Sequence, residues 1–496
     1  MITKERSIIK LRRNINKKAF AVFITSWFLL CVNFISKAQE KGDLIINNYS
    51  THEYDAHLQN WATVQDTNGI LYFGNGNGIL QYDGASWNLI TLPEYTLCRS
   101  LDIDNKGRIY VGAINDLGYL EPDSTGKVKY TSLVNKIKKE NRDFQDVWFL
   151  RCIDNDVWFS TYKYLFRLRD GKIKTWKTEK HFSGFAVFNK RAYILEQETG
   201  IKTPSGDSLE LLPYSDFFKD KDYWATLPFD KTKLLLLTVN SGLYTYDFDA
   251  AKSGSENQTL KRFYTQADSI FYEHRPYSCI KLKNGNIAIG TIGSGLIILD
   301  TEGQIVHHIK ENGGLKSVLL TQLYEDRDNN LWATTIKGVS KINISSPITY
   351  WGESHDMEGF ILDILRFNGK IFIANYKGIY TIENNEVKHI PGLNTPCFDL
   401  LDFKIPGSKS EHILLAGTNL TNFMQFVNGK VVEILPDQRS VHKLYQSKHD
   451  SSILYMGKGE GLTVAKYENN KFTVLGNIEL IHDNIRNIYE DEKGRI

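Results

Sequence analysis

Fifteen side chains have types that could act together on a ligand: Trp61, Asn75, Asn77, Arg99, Asn115, Asp116, Trp148, Tyr162, Lys163, Tyr223, Trp224, Asn240, Arg275, Tyr277 and Lys337. Indole and phenol faces stack on C–H surfaces, and amide and guanidinium groups offer directed hydrogen bonds. That mixture suits a small ligand such as an oligosaccharide, whose ring stacks while its hydroxyls need donors and acceptors.

Motifs for covalent, metal or phosphate chemistry are missing, so no catalytic residue, metal or cofactor is expected. The sequence has no G-x-x-x-x-G-K-[ST] and no H-E-x-x-H. Gly74–Gly78 is glycine-rich, but it reads as a strand-to-strand turn. Gly293-Ser294-Gly295 is too short for a nucleophile elbow. His307 and His308 are adjacent in a strand-like segment and would point to opposite faces. Asp102–Gly107 hints at a calcium loop, but the fifth position is Lys106 and the twelfth is Ala113, which cannot ligate.

The elements that must position these residues form a repeat. Trp61–Ile90 parses into four short strands, WATVQD, ILYFGN, ILQYD and WNLI, separated by turns. The same frame recurs at Ser100–Leu120, Ile280–Leu299, Gln322–Ile342 and Asp363–Ile382, with weaker copies between and after. The second strands end at Gly74, Gly112, Ser160, Leu195, Thr238, Gly290, Thr334, Ala374, Gly417 and Gly457, about 43 residues apart on average. Four strands per period of that length is the signature of a β-propeller blade. Asp66-x-x-Gly69, Asp104-x-x-Gly107 and Asp491-x-x-Gly494 predict type I turns, with the carboxylate on the turn amides and Gly at positive φ. The second strands are apolar at nearly every position, as expected of strands buried on both faces. The fifteen residues fall before first strands or between second and third strands, the loops that build one face of a propeller.

The fold class expected is therefore all-β: an N-terminal signal peptide, a seven-bladed β-propeller over residues 39–351, and the truncated start of a second β-propeller over 352–496. The second part holds three blades and the opening of a fourth, because Ile485–Ile496 repeats the first half of the unit and then stops. A chain ending there reads as a fragment.

Export is read from the N-terminus. Lys4, Arg6, Lys10, Arg12, Arg13, Lys17 and Lys18 precede an apolar run, Ala19–Ile35, and Ser36-Lys37-Ala38 fits a cleavage site. A signal peptide over 1–38 predicts a periplasmic protein; an uncleaved anchor is the alternative. Removing those residues turns the formal charge from +2 to −5. An acidic domain without a basic stripe is a poor nucleic-acid binder. Cys98, Cys152, Cys279 and Cys397 fall in separate repeats without a C-x-x-C pair, so disulfide and zinc frameworks are not expected.

The segment Tyr49–Trp87 carries Tyr49, Glu53, Tyr54, Asn60-Trp61-Ala62, Gln65-Asp66, Tyr72-Phe73-Gly74-Asn75, Tyr82-Asp83-Gly84 and Trp87 in an order beyond a generic blade. It resembles the first blade of sensor proteins with two-component-regulator propellers and a triple-tyrosine domain, common in the Bacteroidetes. Gly107–Gly112 and Asn330–Thr334 resemble the family's G-x-[IL]-[WY]-[VI]-G-T core. The resemblance covers residues 44–496. It implies two periplasmic propellers, an immunoglobulin-like domain, one membrane helix, and a histidine kinase or a LuxR-type DNA-binding domain inside. It implies homodimers in the full-length protein. On this reading the chain is the ligand-sensing input of a membrane-spanning regulator whose effector lies outside the sequence, and it meets the membrane only through that missing part or an uncleaved signal. The alternatives are a secreted glycan- or protein-binding propeller and a carbohydrate-active hydrolase or lyase.

Overall fold

The unit read at Trp61–Ile90 folds as four antiparallel strands: Asn60–Gln65, Leu71–Asn75, Gly78–Tyr82 and Trp87–Ile90. The computed structural model describes residue 40 and residues 42–496, except 222, 353–354, 384–385, 420–422, 436–437, 439 and 480, and except the side chains of Tyr95, Tyr223 and Trp224. The expected signal peptide lies outside the described residues. Ten four-stranded sheets occur among those described. No helix among them is long and apolar enough to cross a membrane.

Turn chemistry sets the hairpins. Asp66 Oδ1 accepts the N–H groups of Asn68 and Ile70, each at 2.9 Å, and Gly69 takes φ +90°. Asp104 repeats this on Lys106 and Arg108, with Gly107 at +80°. Its Oδ1 is thus taken by the turn amides, as expected of the Asp-x-x-Gly turn.

Two compact units result, Asp43–Tyr350 and Trp351–Ile496, the latter with Glu40 and Gly42. In the first unit the first strand of each of seven sheets touches the first strand of the next. The seventh, Leu320–Glu325, touches Asn60–Gln65, so the ring closes. This is the architecture of a β-propeller. The outermost strand of the seventh sheet is Ile46–Tyr49, from the start of the unit, antiparallel to Gly338–Ile342. Both ends of the unit therefore share one sheet.

Four of the second strands are buried throughout, as their composition predicts: Leu71–Asn75, Ile109–Ala113, Ile287–Thr291 and Leu331–Thr335 have no exposed position. The small residue near their ends leaves room for a neighbouring strand. The neighbouring sheet's first strand lies on it: a Cβ on Gly74 would meet Cys98 O at 2.9 Å, and one on Gly112 would meet Val147 Cγ1 at 2.6 Å.

A clasp joins successive sheets. Ser100 Oγ donates to Val147 O at 2.6 Å, and Ser278 Oγ to Leu320 O at 3.0 Å. At the ring's closure the Thr63 N–H donates to Gln322 Oε1. Thr63 is buried, so Gln322→Ala leaves a covered N–H without its acceptor and is expected to cost about 1–3 kcal/mol in urea unfolding.

The unit Trp351–Ile496 uses carboxylates for the same clasp. Leu400 N–H donates to Asp363 Oδ2 at 2.9 Å, and Leu444 N–H to Asp399 Oδ2 at 2.7 Å. Burial lifts the Asp399 carboxyl to about 6, against the Lys443 ammonium at 2.6 Å and the Leu444 N–H. Folded Asp399 therefore holds its proton to higher pH than an unfolded aspartate, near 3.9. The stability this adds is full below about pH 4 and is lost as pH rises through about 6. Relative to Asp399→Asn, the parent chain should lose up to about 3 kcal/mol between pH 4 and pH 7, read from denaturant midpoints.

Among the described residues no strand follows Asn477. Ile485 nevertheless lies where a Cβ on Gly457 would meet its Cγ2 at 2.6 Å, as Val441 lies against Gly417. Asp491–Gly494 forms the expected turn.

Candidate functional site

The first strands carry a shared irregularity. Antiparallel pairing skips Trp61, Arg99, Ser183, Trp224, Tyr277 and Thr321, one residue in each of six first strands. The remaining one, Phe149–Ile153, has Trp148 immediately before it. A β-bulge bends the strand and re-aims the side chain at that point. Except for Trp148, which precedes its strand as expected, these residues stand within the strands and not in the preceding loops, flanked by ladder pairs on both sides.

Trp61, Arg99, Trp148, Ser183, Tyr277 and Thr321 line a cavity of about 530 Å³ bounded by residues of all seven first-strand regions. Of the fifteen residues singled out by sequence, it brings together Trp61, Arg99, Trp148, Tyr162 and Tyr277. The Arg99 guanidinium lies 4.1 Å from the Trp61 ring centroid and 4.4 Å from that of Trp148. The two indoles meet edge-on, 6.3 Å apart at 80°. Arg99 Nε donates to Asp146 Oδ1 at 2.7 Å. Each cation–π contact contributes about 0.5–2 kcal/mol where water is excluded. Tyr162 packs on Trp148 at 5.4 Å and remains 48 % exposed, leaving a ring available to a ligand.

Three buried donors of this group have no acceptor within the protein: Trp61 Nε1, Trp148 Nε1 and Arg99 Nη1. An unmet buried donor costs about 1–3 kcal/mol. Burial holds the Tyr162 and Tyr277 phenols above their ordinary range, with Arg99 opposing in both cases. Both remain protonated donors at neutral pH.

The other sequence candidates have different positions. Asn75 is fully buried and spends its amide on His57 O, Gln59 O and Asn60 Oδ1, while its carbonyl accepts from His57 and Asn77. Asn115 Oδ1 accepts the N–H groups of Phe144 and Gln145 at 2.9 and 2.6 Å, clamping the segment that presents Asp146 to Arg99. Asp116 takes Ser132 Oγ at 2.6 Å. Asn77, Lys163, Asn240, Arg275 and Lys337 are exposed and do not line the cavity. The side chains of Tyr223 and Trp224 lie outside the described residues.

Sequence reading missed Arg151, Phe149, Phe185 and Gln322, which also line the cavity. Its attention was on loops, whereas these are inward positions of first strands. A usable signal existed in the spacing. Trp61, Arg99, Tyr277 and Thr321 each stand thirteen residues before a second-strand endpoint, Gly74, Gly112, Gly290 and Thr334. Burial pushes the Asp102 carboxyl up, against Arg151 and the N–H groups of Cys152 and Ile103. The described residues contain no group of three His, Cys, Asp or Glu side chains that could hold a metal.

No protein-family model and no curated protein sequence matches the chain. Among solved structures, it is similar to the extracellular domain of BT3049 from B. thetaiotaomicron, a protein assigned as a hybrid two component system. The TM-score is 0.69 at 17 % identity, over 91 % of this chain and 63 % of that one. The extracellular domain of BT4673 from the same organism, assigned as a one component system, gives a TM-score of 0.47 at 14 % identity, over 92 % of this chain and 70 % of that one. This chain thus spans less than two thirds of the BT3049 domain. Its fold is the one seen in that extracellular domain, in agreement with the resemblance read from Tyr49–Trp87.

Proposed function

We propose that this chain is the extracytoplasmic ligand-sensing region of a membrane-spanning signal-transduction regulator. In this reading Asp43–Tyr350 is a complete seven-bladed propeller, and the three sheets of Trp351–Ile496 are blades of a second. The observation that carries the reading is the cavity at the bulged first strands, where Trp61, Arg99, Trp148 and Tyr277 converge from four sheets with buried donors unmet. Aromatic faces beside convergent polar groups are what a ligand pocket requires. The likeness to an extracellular domain of a two component system supports placing that pocket outside the cytoplasm. A ligand there acts by favouring one arrangement of the region over another.

The test is thermal-shift and calorimetric titration of the full chain with a panel of soluble oligosaccharides. At least one member is expected to raise Tm with concentration. If no member does so, the ligand-sensing reading fails. The regulator reading has its own test in the DNA after codon 496, which should encode a membrane helix and a kinase or DNA-binding domain. A stop codon with neither downstream would contradict it.

A further inference from the structure

The charges lining the cavity are of one sign. Arg99 and Arg151 line it, and no carboxylate does so among the described residues. Two acids beside these arginines are engaged by the protein. Asp146 is engaged by Arg99 Nε, and Asp102 accepts the N–H groups of Cys152 at 2.7 Å and Ile103 at 2.9 Å. The Gln322 side-chain oxygen is taken by Thr63. The buried polar side-chain groups left unmet in this cluster are all donors, Arg99 Nη1 and the indole N–H groups of Trp61 and Trp148. This basic mouth stands in a chain that carries a net −5 beyond residue 38, so its sign is a local feature and not the overall charge. Low-dielectric walls around like charges concentrate an ion of opposite sign. A planar guanidinium fork is matched to a carboxylate more closely than to a hydroxyl.

Building on the ligand-binding reading above, we infer that the ligand is a sugar acid: a saccharide whose carboxylate is seated by Arg99 and the two indole N–H groups, with Arg151 supplying the deeper positive charge. The sugar ring packs on the aromatic face offered by Trp148 and Tyr162. A neutral saccharide brings hydroxyls, which donate as well as accept, into a group of donors that need acceptors only.

The test is isothermal titration of the full chain with oligogalacturonides and with the neutral galacto-oligosaccharides of matched length, a second pair being mannuronate and manno-oligosaccharides. The acidic member of at least one pair is expected to bind at least tenfold more tightly than its neutral partner. Raising NaCl from 0.05 to 0.5 M should weaken it several-fold. Arg151→Gln and Arg99→Gln should each weaken it at least tenfold, and Arg99→Lys should restore only part, because the fork is lost. Circular dichroism melts identify any variant that has merely unfolded, and Arg151→Gln then decides. Neutral members binding as tightly as acidic ones, or acidic binding unmoved by the folded variants, would overturn the anionic assignment and leave a neutral-ligand pocket. Absence of binding by every member would overturn this inference, while the ligand-sensing reading is decided separately by the wider panel above.

Discussion

Trp332→Ala is expected to destabilise the ring of Asp43–Tyr350 by about 3–5 kcal/mol in urea unfolding. Trp332 is 1 % exposed and lies at the centre of an aromatic seam. It stacks on Tyr49 at 5.8 Å and 16°, and meets Phe73 at 5.4 Å and Tyr82 at 5.9 Å. Its indole N–H donates to Asp326 Oδ2 at 2.8 Å. Tyr49 comes from the closing strand, Trp332 from the seventh sheet, and Phe73 and Tyr82 from the first, so one side chain ties the three parts that meet where the ring closes. Alanine leaves a cavity and strips the buried Asp326 of a donor. Trp332→Phe keeps most of the volume and should recover a large part of the loss. A cost below about 1 kcal/mol for Trp332→Ala would contradict the role assigned to the seam.

The second large effect is on binding. Trp148→Ala is expected to weaken the best oligosaccharide of the panel more than about tenfold, ~1.4 kcal/mol, with Tm shifted by only a few degrees. The indole supplies one of the two faces that hold Arg99, the ring on which Tyr162 packs, and one of the unmet donors. It precedes its strand and is only partly buried, so less packing depends on it than on Trp332. Unchanged affinity in a folded Trp148→Ala chain would remove this residue from the site.

Much of the fold was legible because its causes are local. Asp-x-x-Gly turns, apolar second strands and small endpoints recur in most of the clearer repeats and need no knowledge of distant contacts. The motif Tyr49–Trp87 was legible as a pattern, but its reason was not. Tyr49, Tyr54, Tyr82 and Trp87 pack together, and Glu53 closes a capping box with Ser50 that starts the short helix Thr51–Tyr54. The packing of this cluster on Trp332 depends on the first and seventh sheets meeting across more than 240 residues of chain. The site was legible in part. Loop reading found Trp61, Arg99 and Tyr277, yet the structure places them on bulges, because a bulge leaves no local composition signal. It also gathered Asn75 and Asn115, whose amides are spent on neighbouring backbone. Arg151 and Gln322 escaped notice because inward and outward positions of a strand separate only when register is known.

The most direct test of the central claim is a crystal structure of the full chain with the tightest-binding panel member. The account predicts the saccharide at the mouth of the Asp43–Tyr350 cavity, within hydrogen-bond distance of Arg99 and in contact with the Trp148 or Tyr162 ring. A saccharide bound elsewhere on the chain, with the Trp61–Arg99–Trp148 group unchanged and the cavity empty, would contradict it.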